Sequence, residues 1–423
     1  MSMPQLNVLV VGASIAGPTA AYWLAKAGAK VTVIERFPEL RTSGQNVDIR
    51  LAGVTVMRKM PGMETSVRAK RWELDGISIV RSDGRPYGVI KPSGNPDKQS
   101  LISEYEILRG DLGKILYDMT ASHRNVEYVF GEQVASIQQN PNEDGPVTVE
   151  FTGKLSTAQF DLVVACDGAT SSTRAIGLDC GVRDYTVSLN SWAAFCTLDK
   201  DFLDGSKVGH AYSAVGGRFM GAGHAPGGGN RVAFMGIKPQ SDSNNILLFR
   251  EARKRGEEAV KEYVYEYYHG VGWKCDEILE CMMKSKDFYA HEFMQVKLPA
   301  LSNGRFVLVG DAGYAPGPTG TGTTIAMAGA YVLAGEVCKH KGDISKALEG
   351  YETEMRPLIK EMQKVPSFFS TILGPQTAWG LWLRNHVFAF LCWVKLVEMI
   401  EKFFGAAFSS AESYPLPEYE WVE

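Results

Sequence analysis

The sequence predicts a mixed α/β fold: a βαβ-built domain assembled from separated stretches of chain, a second, sheet-based domain inserted into it, and a helical segment at the C-terminus. Three observations carry this. Apolar runs lead into glycine-rich turns at three distant places. These are Asn7 to Val11 into Gly12-Ala13-Ser14-Ile15-Ala16-Gly17, Leu162 to Ala165 into Cys166-Asp167-Gly168, and Phe306 to Val309 into Gly310-Asp311-Ala312. The last continues through Pro316-Gly317-Pro318-Thr319-Gly320-Thr321-Gly322. Helical patterns follow the first and third (Pro18 to Ala27, Thr323 to His340), as a βα unit requires. Between the second and third, residues 181 to 298 change to strand-like stretches and glycine-rich turns.

The first stretch is legible residue by residue. Val8 to Val11 is a buried-strand pattern, and Pro18 to Ala27 is an Ala-rich helix pattern with Tyr22, Trp23 and Leu24. Between them the chain has to turn sharply and present bare backbone N–H groups at a helix N-terminus. Gly12 permits the turn, and Gly17 lets the helix lie close to the strand. The helix dipole and free amides favour a pyrophosphate there. Ser14 stands where the fingerprint has its middle glycine, and its small side chain still lets a phosphate approach. The next strand, Lys30 to Ile34, ends in Glu35-Arg36. Glu35 follows Gly17 by 18 residues, near the ~20 expected of an acid that bonds a ribose hydroxyl. The reading is a Rossmann-like dinucleotide unit; a plain βαβ unit without ligand is the alternative.

Downstream, the loop Glu39 to Asn46 leads to a short segment, Val47 to Arg50, and a helix around Val54 to Lys59. Strand-like pieces at Ile77 to Val80 and Tyr87 to Ile90 are punctuated by Asp83-Gly84 and Gly94-Asn95-Pro96. Helical periodicity returns at Arg109 to Ser122. Strands at Val126 to Phe130, Val134 to Gln138 and Val147 to Phe151 form a meander into Phe160 to Ala165. The inserted region carries strands at Ser191 to Leu198 and Val232 to Ile237 and one long polar helix near Ile246 to Tyr268. No internal repeat is evident. The expected organisation is a discontinuous dinucleotide domain over 1–72, 105–180 and 299–372, an inserted domain over 73–104 and 181–298, and a helical segment and tail over 373–423.

The segment Ala378 to Phe408 is rich in Trp, Leu and Phe, but Arg384, Asn385, His386, Lys395 and Glu398 interrupt it. It falls short of the ~20 predominantly apolar residues of a membrane span. One or two amphipathic helices packed on the body or bridging domains are expected, with a membrane-surface or dimer face as the alternative. Glu412 to Glu423 reads as an extended, acidic, proline-rich tail.

With 423 residues the chain has room for two or three domains and a large core. A formal net charge of −4, no basic run and no zinc-type spacing argue against nucleic acid as a partner, and no metal-ligating residue is assigned. The seven cysteines are an odd number without a CxxC pair, which reads as reduced, mostly buried thiols in an intracellular protein, with disulfides as the alternative. The first strand begins almost at once, leaving no room for a cleavable leader, so a cytoplasmic location is expected.

Together these motifs resemble those of the group A, single-component flavoprotein monooxygenases with the para-hydroxybenzoate hydroxylase fold. Within that group the chain is most similar to the branch of tetracycline-inactivating monooxygenases and fungal natural-product oxygenases. The resemblance spans about residues 6 to 340 in motif order, with 181–298 matched by position alone. It implies a Rossmann-like, GR2-type FAD-binding domain with an inserted sheet-based substrate domain and a C-terminal helical segment. It implies that Gly12, Ser14 and Gly17, with the intervening Ile15 and Ala16, hold the pyrophosphate of FAD. Glu35, followed by Arg36, would meet the adenosine ribose.

Asp48, within Gly44-Gln45-Asn46-Val47-Asp48-Ile49-Arg50, matches an aspartate that approaches FAD in the tetracycline-modifying branch. Arg109, in Leu108-Arg109-Gly110-Asp111-Leu112, matches an arginine near the flavin's linker and phosphates, where a forked guanidinium suits the oxygens. Asp167 and Gly168, with Ser171 and Arg174, resemble a DG motif linked to FAD and NAD(P)H. Asp311 matches the aspartate that bonds the ribitol. Pro316 to Gly322, with Pro318, Gly320, Thr321 and Gly322, would run along the flavin ahead of a helix starting near Thr323. The residues alone leave other readings open: Asp311 as a helix cap, Arg109 as a surface helix residue, Asp48 as a turn residue, Arg174 as a surface ion-pair partner.

In that family NADPH or NADH reduces FAD, oxygen adds to the reduced ring, and a C4a-hydroperoxide delivers one oxygen atom. The resemblance therefore implies hydroxylation or epoxidation of a small aromatic, polyketide or terpenoid-like molecule, in secondary metabolism, by a monomer or homodimer. Baeyer–Villiger insertion, or a flavin reductase or desaturase that transfers no oxygen, would use the same parts. A binding protein that keeps the fold without turnover is the rival from another class. A halogenase would need a Trp-x-Trp-x-Ile-Pro signature, which the sequence lacks. No catalytic side chain is assigned, because the cofactor carries the hard chemistry while the protein orients and shields. A sheet within 181–298 would roof the flavin. Its candidate substrate residues are His210, Tyr212, Arg218, Phe219, His224, Phe234 and Met235, with the register undetermined. Tyr314, three residues past Asp311, is open to facing substrate or to packing.

Overall fold

Three strands that each end in a glycine turn lie side by side in one sheet. A computed structural model establishes this; it describes residues 5–41, 44–72, 74–92, 105–139, 145–225, 227–239, 241–242, 244–365, 369–394 and 415–422. The chain opens with β1 (Asn7–Val11), α1 (Ala16–Lys26) and β2 (Lys30–Glu35). Next come β3 (Asn46–Asp48), α2 (Ala52–Arg58), α3 (Met63–Ala69), β4 (Gly76–Val80), β5 (Pro86–Ile90), β6 (Glu106–Leu108) and α4 (Arg109–Asp118). Then follow β7 (Val126–Phe130), β8 (Val134–Gln138), β9 (Val147–Phe151), β10 (Ala158–Phe160), β11 (Leu162–Ala165) and α5 (Ser172–Gly177).

The inserted region supplies β12 (Thr186–Leu198), β13 (Val208–Ala214), β14 (Arg218–His224), β15 (Asn230–Ile237), α6 (Asn244–Arg255), α7 (Glu257–Tyr268), α8 (Cys275–Met283) and β16 (Tyr289–Val296). The chain closes with β17 (Ser302–Asn303), β18 (Phe306–Leu308), α9 (Asp311–Tyr314), α10 (Gly322–Lys339), α11 (Ile344–Met362), α12 (Phe369–Leu373) and α13 (Ala378–Trp393).

The first sheet has the order β17-β18-β11-β1-β2-β7, parallel except for β17. Strands buried on both faces read as unbroken apolar runs, and Val8, Leu9 and Val10 are fully covered. Full burial of each such side chain contributes ~1.5–3 kcal/mol. The predicted run Phe160 to Ala165 divides into two strands: β10 joins a small antiparallel sheet with β9 and β8, while β11 joins the parallel one. Asp161 marks the division, because its carboxylate accepts from the Asn7 N–H at 2.7 Å. The helix α10 is buried on almost every side between α1 and α11, which explains its apolar composition all round.

The second sheet has the order β16-β12-β15-β14-β13-β4-β5, so residues 76–90 join the insertion through the parallel pair β4–β13. Helices α6, α7 and α8 cover one face over a core of Trp192, Phe234, Phe249, Val264, Tyr268 and Ile278. Trp192 stacks on Phe249 with centroids 5.3 Å apart. The single long helix expected over 246–268 is two helices, because Gly256 sits between them at φ +108.

α13 crosses the edge strand β5, where Gly88 leaves room for Cys392 and Phe388. Its outer face exposes Trp379, Trp382, Val387, Phe390 and Trp393. Among the described residues no helix is long and apolar enough to cross a membrane. The remainder of that aromatic-rich segment, 395–408, lies outside the described residues. The tail 415–422 has no regular structure and returns to the first domain: Trp421 meets Trp23 at 4.7 Å and the Tyr419 hydroxyl donates to Glu336.

Candidate active site

The carboxyl ends of β1, β11 and β18 bring their glycine turns together, the place where open α/β sheets bind ligands. Gly12, at φ +106, donates to the Ile34 carbonyl at 2.7 Å, and a Cβ there would lie 2.7 Å from the Cys166 carbonyl oxygen. A Cβ on Gly17 would lie 1.8 Å from the Gly12 oxygen, so helix and strand approach as closely as backbone allows. The start of α1 has no side-chain cap and no acid in its first turn, leaving its amides free for an anion. Glu35 stands opposite, its carboxylate accepting from the Ala13 and Phe37 N–H groups at 2.9 and 3.1 Å. A cleft of about 960 Å³, counting its open mouth, is lined by Gly12, Ser14, Glu35, Arg36, Arg109, Asp167 and Gly168 among others. Ile15, Ala16 and Gly17 lie behind it, buried in the turn and helix.

Asp167 spends both carboxylate oxygens locally, on the Ser171 hydroxyl and the Thr173 N–H. Arg174 is neither at the surface nor in the cleft: it is 0% exposed. Its guanidinium donates to the carbonyls of Ala312, Ala169 and Val182. It thereby ties the second glycine turn to the third.

A second group of residues surrounds the turn 316–322. Asp311 lies deep in the fold yet its carboxylate is uncovered; surrounding atoms push its pKa up while Arg109 opposes that. Gly322 adjoins it, and Gly320, at φ +74, adjoins Asp48. The α10 N-terminus also lacks a side-chain cap. Pro318 and Thr321 belong to this turn, where the Thr319 and Thr321 hydroxyls bond at 2.6 Å. Asp48 pairs with Arg50 at 3.0 Å, and Arg50 and Thr324 exchange backbone-to-hydroxyl bonds that fix the strand to α10. The buried Oδ1 of Asp48, Oδ1 of Asn46 and Oε1 of Gln45 have no hydrogen-bond partner. Buried acceptors left so cost about 1–3 kcal/mol each. Uncapped helix N-termini, a glycine cradle and orphaned acceptors fit a pyrophosphate joined to a hydroxyl- and N–H-bearing group, which is the chemistry of FAD.

Gln45, Asn46, Arg50 and Glu106 were not singled out by sequence reasoning. The first three flank Asp48 in one short stretch, which was their only signal. Glu106 had none: it faces Asp48 only through the β3–β6 register. Burial first, and then the Asp48 charge, push Glu106 up to about 7, against the Asn46 amide and Arg50. The folded protein thus holds this proton more tightly than the unfolded chain, where a glutamate titrates near ~4.3. Its contribution to stability is complete below that value and is lost as pH rises toward 7. Glu106→Gln is expected to melt higher than the parent at pH 8, with the gap closing toward pH 5. A gap equal at both pH values would place the titration elsewhere.

The roof of the site is one face of the second sheet. Arg231 donates to the Gly44 carbonyl at 2.5 Å, and the Arg41 guanidinium lies 5.4 Å from the Tyr289 ring, so the face bearing Arg231 and Tyr289 turns toward the first domain. Cross-strand partners share a face, which adds Phe195, Ala193, Met235, Phe219 and His291. Phe219 and Met235 were among the expected substrate residues. The others expected point the wrong way. Tyr212 donates to the Val271 carbonyl, Phe234 packs on Tyr268 at 5.1 Å, and His210 meets Trp273 at 6.0 Å, all on the helix-covered side. Arg218 and His224 share that parity along β14. Tyr314 is 0% exposed and its hydroxyl meets that of Tyr351 at 3.1 Å, which makes it a packing residue. The alternation of strand side chains accounts for the first five, and the turn into α9 for Tyr314.

With this geometry in place, comparison with known proteins is specific. The FAD binding domain family matches residues 5–365. The chain is 31% identical over 422 residues to the FAD-dependent monooxygenase asL4 of Sarocladium schorii, covering 93% of this chain and 94% of the relative. It is also 31% identical to the monooxygenase CTB7 of Cercospora beticola, covering 100% of this chain and 99% of that one. Among solved structures, the tetracycline destructase Tet(51) aligns with a TM-score of 0.76 at 27% identity, covering 99% of this chain and 100% of its own. A family match across most of the chain, and relatives aligned over nearly their whole length, place this chain in the FAD-binding family of group A monooxygenases, as a FAD-dependent enzyme.

Proposed function

We propose that the chain takes electrons from NADPH or NADH and inserts one atom of O2, by hydroxylation or epoxidation, into a small aromatic, polyketide or terpenoid-like molecule. FAD, when bound, supplies the electron transfer and the activation of oxygen. The protein's own residues bind and orient. Gly12, Ser14 and Gly17 bring the α1 amides to the pyrophosphate, Glu35 takes the ribose, and Arg109 and Asp311 hold the linker. Asp48 and the turn 316–322 line the ring. Residues 1–72, 105–180 and 299–372 form the cofactor domain, and 73–104 with 181–298 the substrate domain. A cytoplasmic monomer or homodimer would suffice for this chemistry.

The observation that carries the substrate class is the half-buried aromatic face of Phe195, Tyr289 and Phe293, turned toward Arg109 and the first domain. Such a face excludes water and receives flat or apolar molecules. The purified protein, supplemented with FAD, is expected to show flavin absorption bands that bleach on anaerobic addition of NADPH. Bound FAD that neither NADPH nor NADH bleaches would remove the nicotinamide from this reading. Product formed under 18O2 without the label would remove the oxygen insertion.

A further inference from the structure

On the sheet face turned toward the first domain, one polar side chain stands among aromatic rings without a hydrogen bond. His291 is flanked along β16 by Tyr289 at 5.5 Å and Phe293 at 5.0 Å, and stacks on Phe195 at 5.7 Å with 9° between planes. Its Nδ1 is buried with no partner, while the ring as a whole is half-buried, so its open edge is the Nε2 side. An orphaned buried N–H is rarer than an orphaned buried acceptor, which places the proton on Nε2. Burial first, then the charges of Arg109 and Arg253, push the imidazole down to about 4, so the ring is neutral at ordinary pH. A purely structural role gives no account of a histidine here, since leucine or phenylalanine would fill the same space without a stranded nitrogen.

The position along the strand sets His291 between the first domain's Arg41 and the glycine turn. Arg41 stands by Tyr289, toward one end of β16. His291 lies further along, toward Gln295, whose amide donates to the Pro316 carbonyl at the start of the glycine turn. The half-buried aromatic stretch of Phe195, Tyr289 and Phe293 around His291 suits a neutral, flat molecule.

We propose that His291 recognises the organic substrate, donating a hydrogen bond from Nε2 to an oxygen on a flat ring that lies against Phe195 and Phe293. This rests on the reading of the chain as an oxygenase whose substrate sits beneath the inserted sheet. His291 is a positioning and specificity residue that holds an oxygen-bearing ring at a fixed rotation under the roof.

The test uses FAD-loaded protein and 1,8-dihydroxyanthraquinone, a flat fused ring bearing carbonyl and phenolic oxygens, with binding read from the change in flavin absorbance. His291→Leu and His291→Phe are expected to weaken probe binding about 3- to 10-fold, the loss of one neutral hydrogen bond. His291→Gln, which keeps an N–H donor near Nε2, is expected to restore it to within about twofold. FAD content and the NADPH concentration for half-maximal anaerobic reduction should stay at parent values, and the melting temperature of His291→Leu should be unchanged or higher. Unchanged probe affinity in the Leu and Phe variants, or no saturable binding to the parent, overturns the proposal. So does a weakened response to NADPH with probe affinity intact, which would assign His291 to the nicotinamide. A parent protein that binds the probe through His291 but never consumes O2 defeats the oxygenase reading and leaves the recognition standing.

Discussion

Gly17→Ala is expected to yield protein that binds FAD at least tenfold more weakly and melts well below the parent. The added methyl would sit 1.8 Å from the Gly12 carbonyl oxygen and 3.4 Å from Val10 Cγ1. The nearest obstacle is backbone, which cannot swing aside as a side chain can. Either α1 lifts from β1 or the turn at Gly12 opens, and that turn is held by the Gly12 N–H on the Ile34 carbonyl and the Cys166 N–H on the Val11 carbonyl. Overpacking of this kind costs ~1–3 kcal/mol, occasionally more. The helix cannot shift freely, because its Trp23 and Leu24 are fully buried in the core, with Trp23 edge-on to Tyr331 of α10 at 4.9 Å. The same displacement moves the uncapped α1 amides away from the pyrophosphate position, so stability and FAD affinity fall together. Ser14→Gly is the natural companion, since it restores the middle glycine of the fingerprint and is expected to keep FAD. Flavin absorbance per protein after reconstitution, with a melting curve, decides it. Stoichiometric FAD in Gly17→Ala would mean that the close helix–strand approach is dispensable.

What the sequence made legible was local. The strands Asn7–Val11, Val126–Phe130, Val134–Gln138 and Val147–Phe151 fall where apolar runs and turn residues place them. Gly12, Glu35, Asp167 and Asp311 were visible because each sits a fixed number of residues from a strand end. The inserted sheet was less visible, because its glycines serve packing and read as turns. A Cβ on Gly223 would strike the Trp72 ring, and one on Gly236 the Trp192 ring, so β14 and β15 carry glycine within the strand. β14, whose seven residues include Gly221 and Gly223, was therefore not read as a strand. The substrate face failed for a related reason. With side chains alternating, the choice of His210, Tyr212 and Phe234 over Ala211, Ser213 and Ala233 depended on which face meets the first domain. The Arg231–Gly44 bond settles that, and it joins residues far apart in the chain. The Asp48–Glu106 pairing was hidden in the same way, since only strand register brings the two carboxylates together.

Arg174→Ala is expected to cost on the order of 3–5 kcal/mol, a drop of roughly 5–10 °C in melting temperature, together with loss of bound FAD. The guanidinium is fully buried, and its three acceptors come from three segments: Ala169 after the second glycine turn, Val182 before β12, and Ala312 after the third glycine turn. Removing it leaves a cavity and strands the buried Ala312 carbonyl, while those of Ala169 and Val182 lose the donor that ties them to it. The charge itself is tolerated because Asp167 stands nearby, favouring the protonated form against the burial that lowers its pKa. Arg174→Lys keeps that charge but offers one compact ammonium in place of a planar fork, so it cannot span all three acceptors. It is expected to recover less than half of the lost stability. Arg174 does not itself line the cleft, so its loss should act on FAD by letting the second and third turns drift apart. FAD affinity and melting temperature are therefore expected to fall in the same proportion across the Ala and Lys variants. Lost FAD affinity with an unchanged melting temperature would show instead that the guanidinium reaches the cofactor directly.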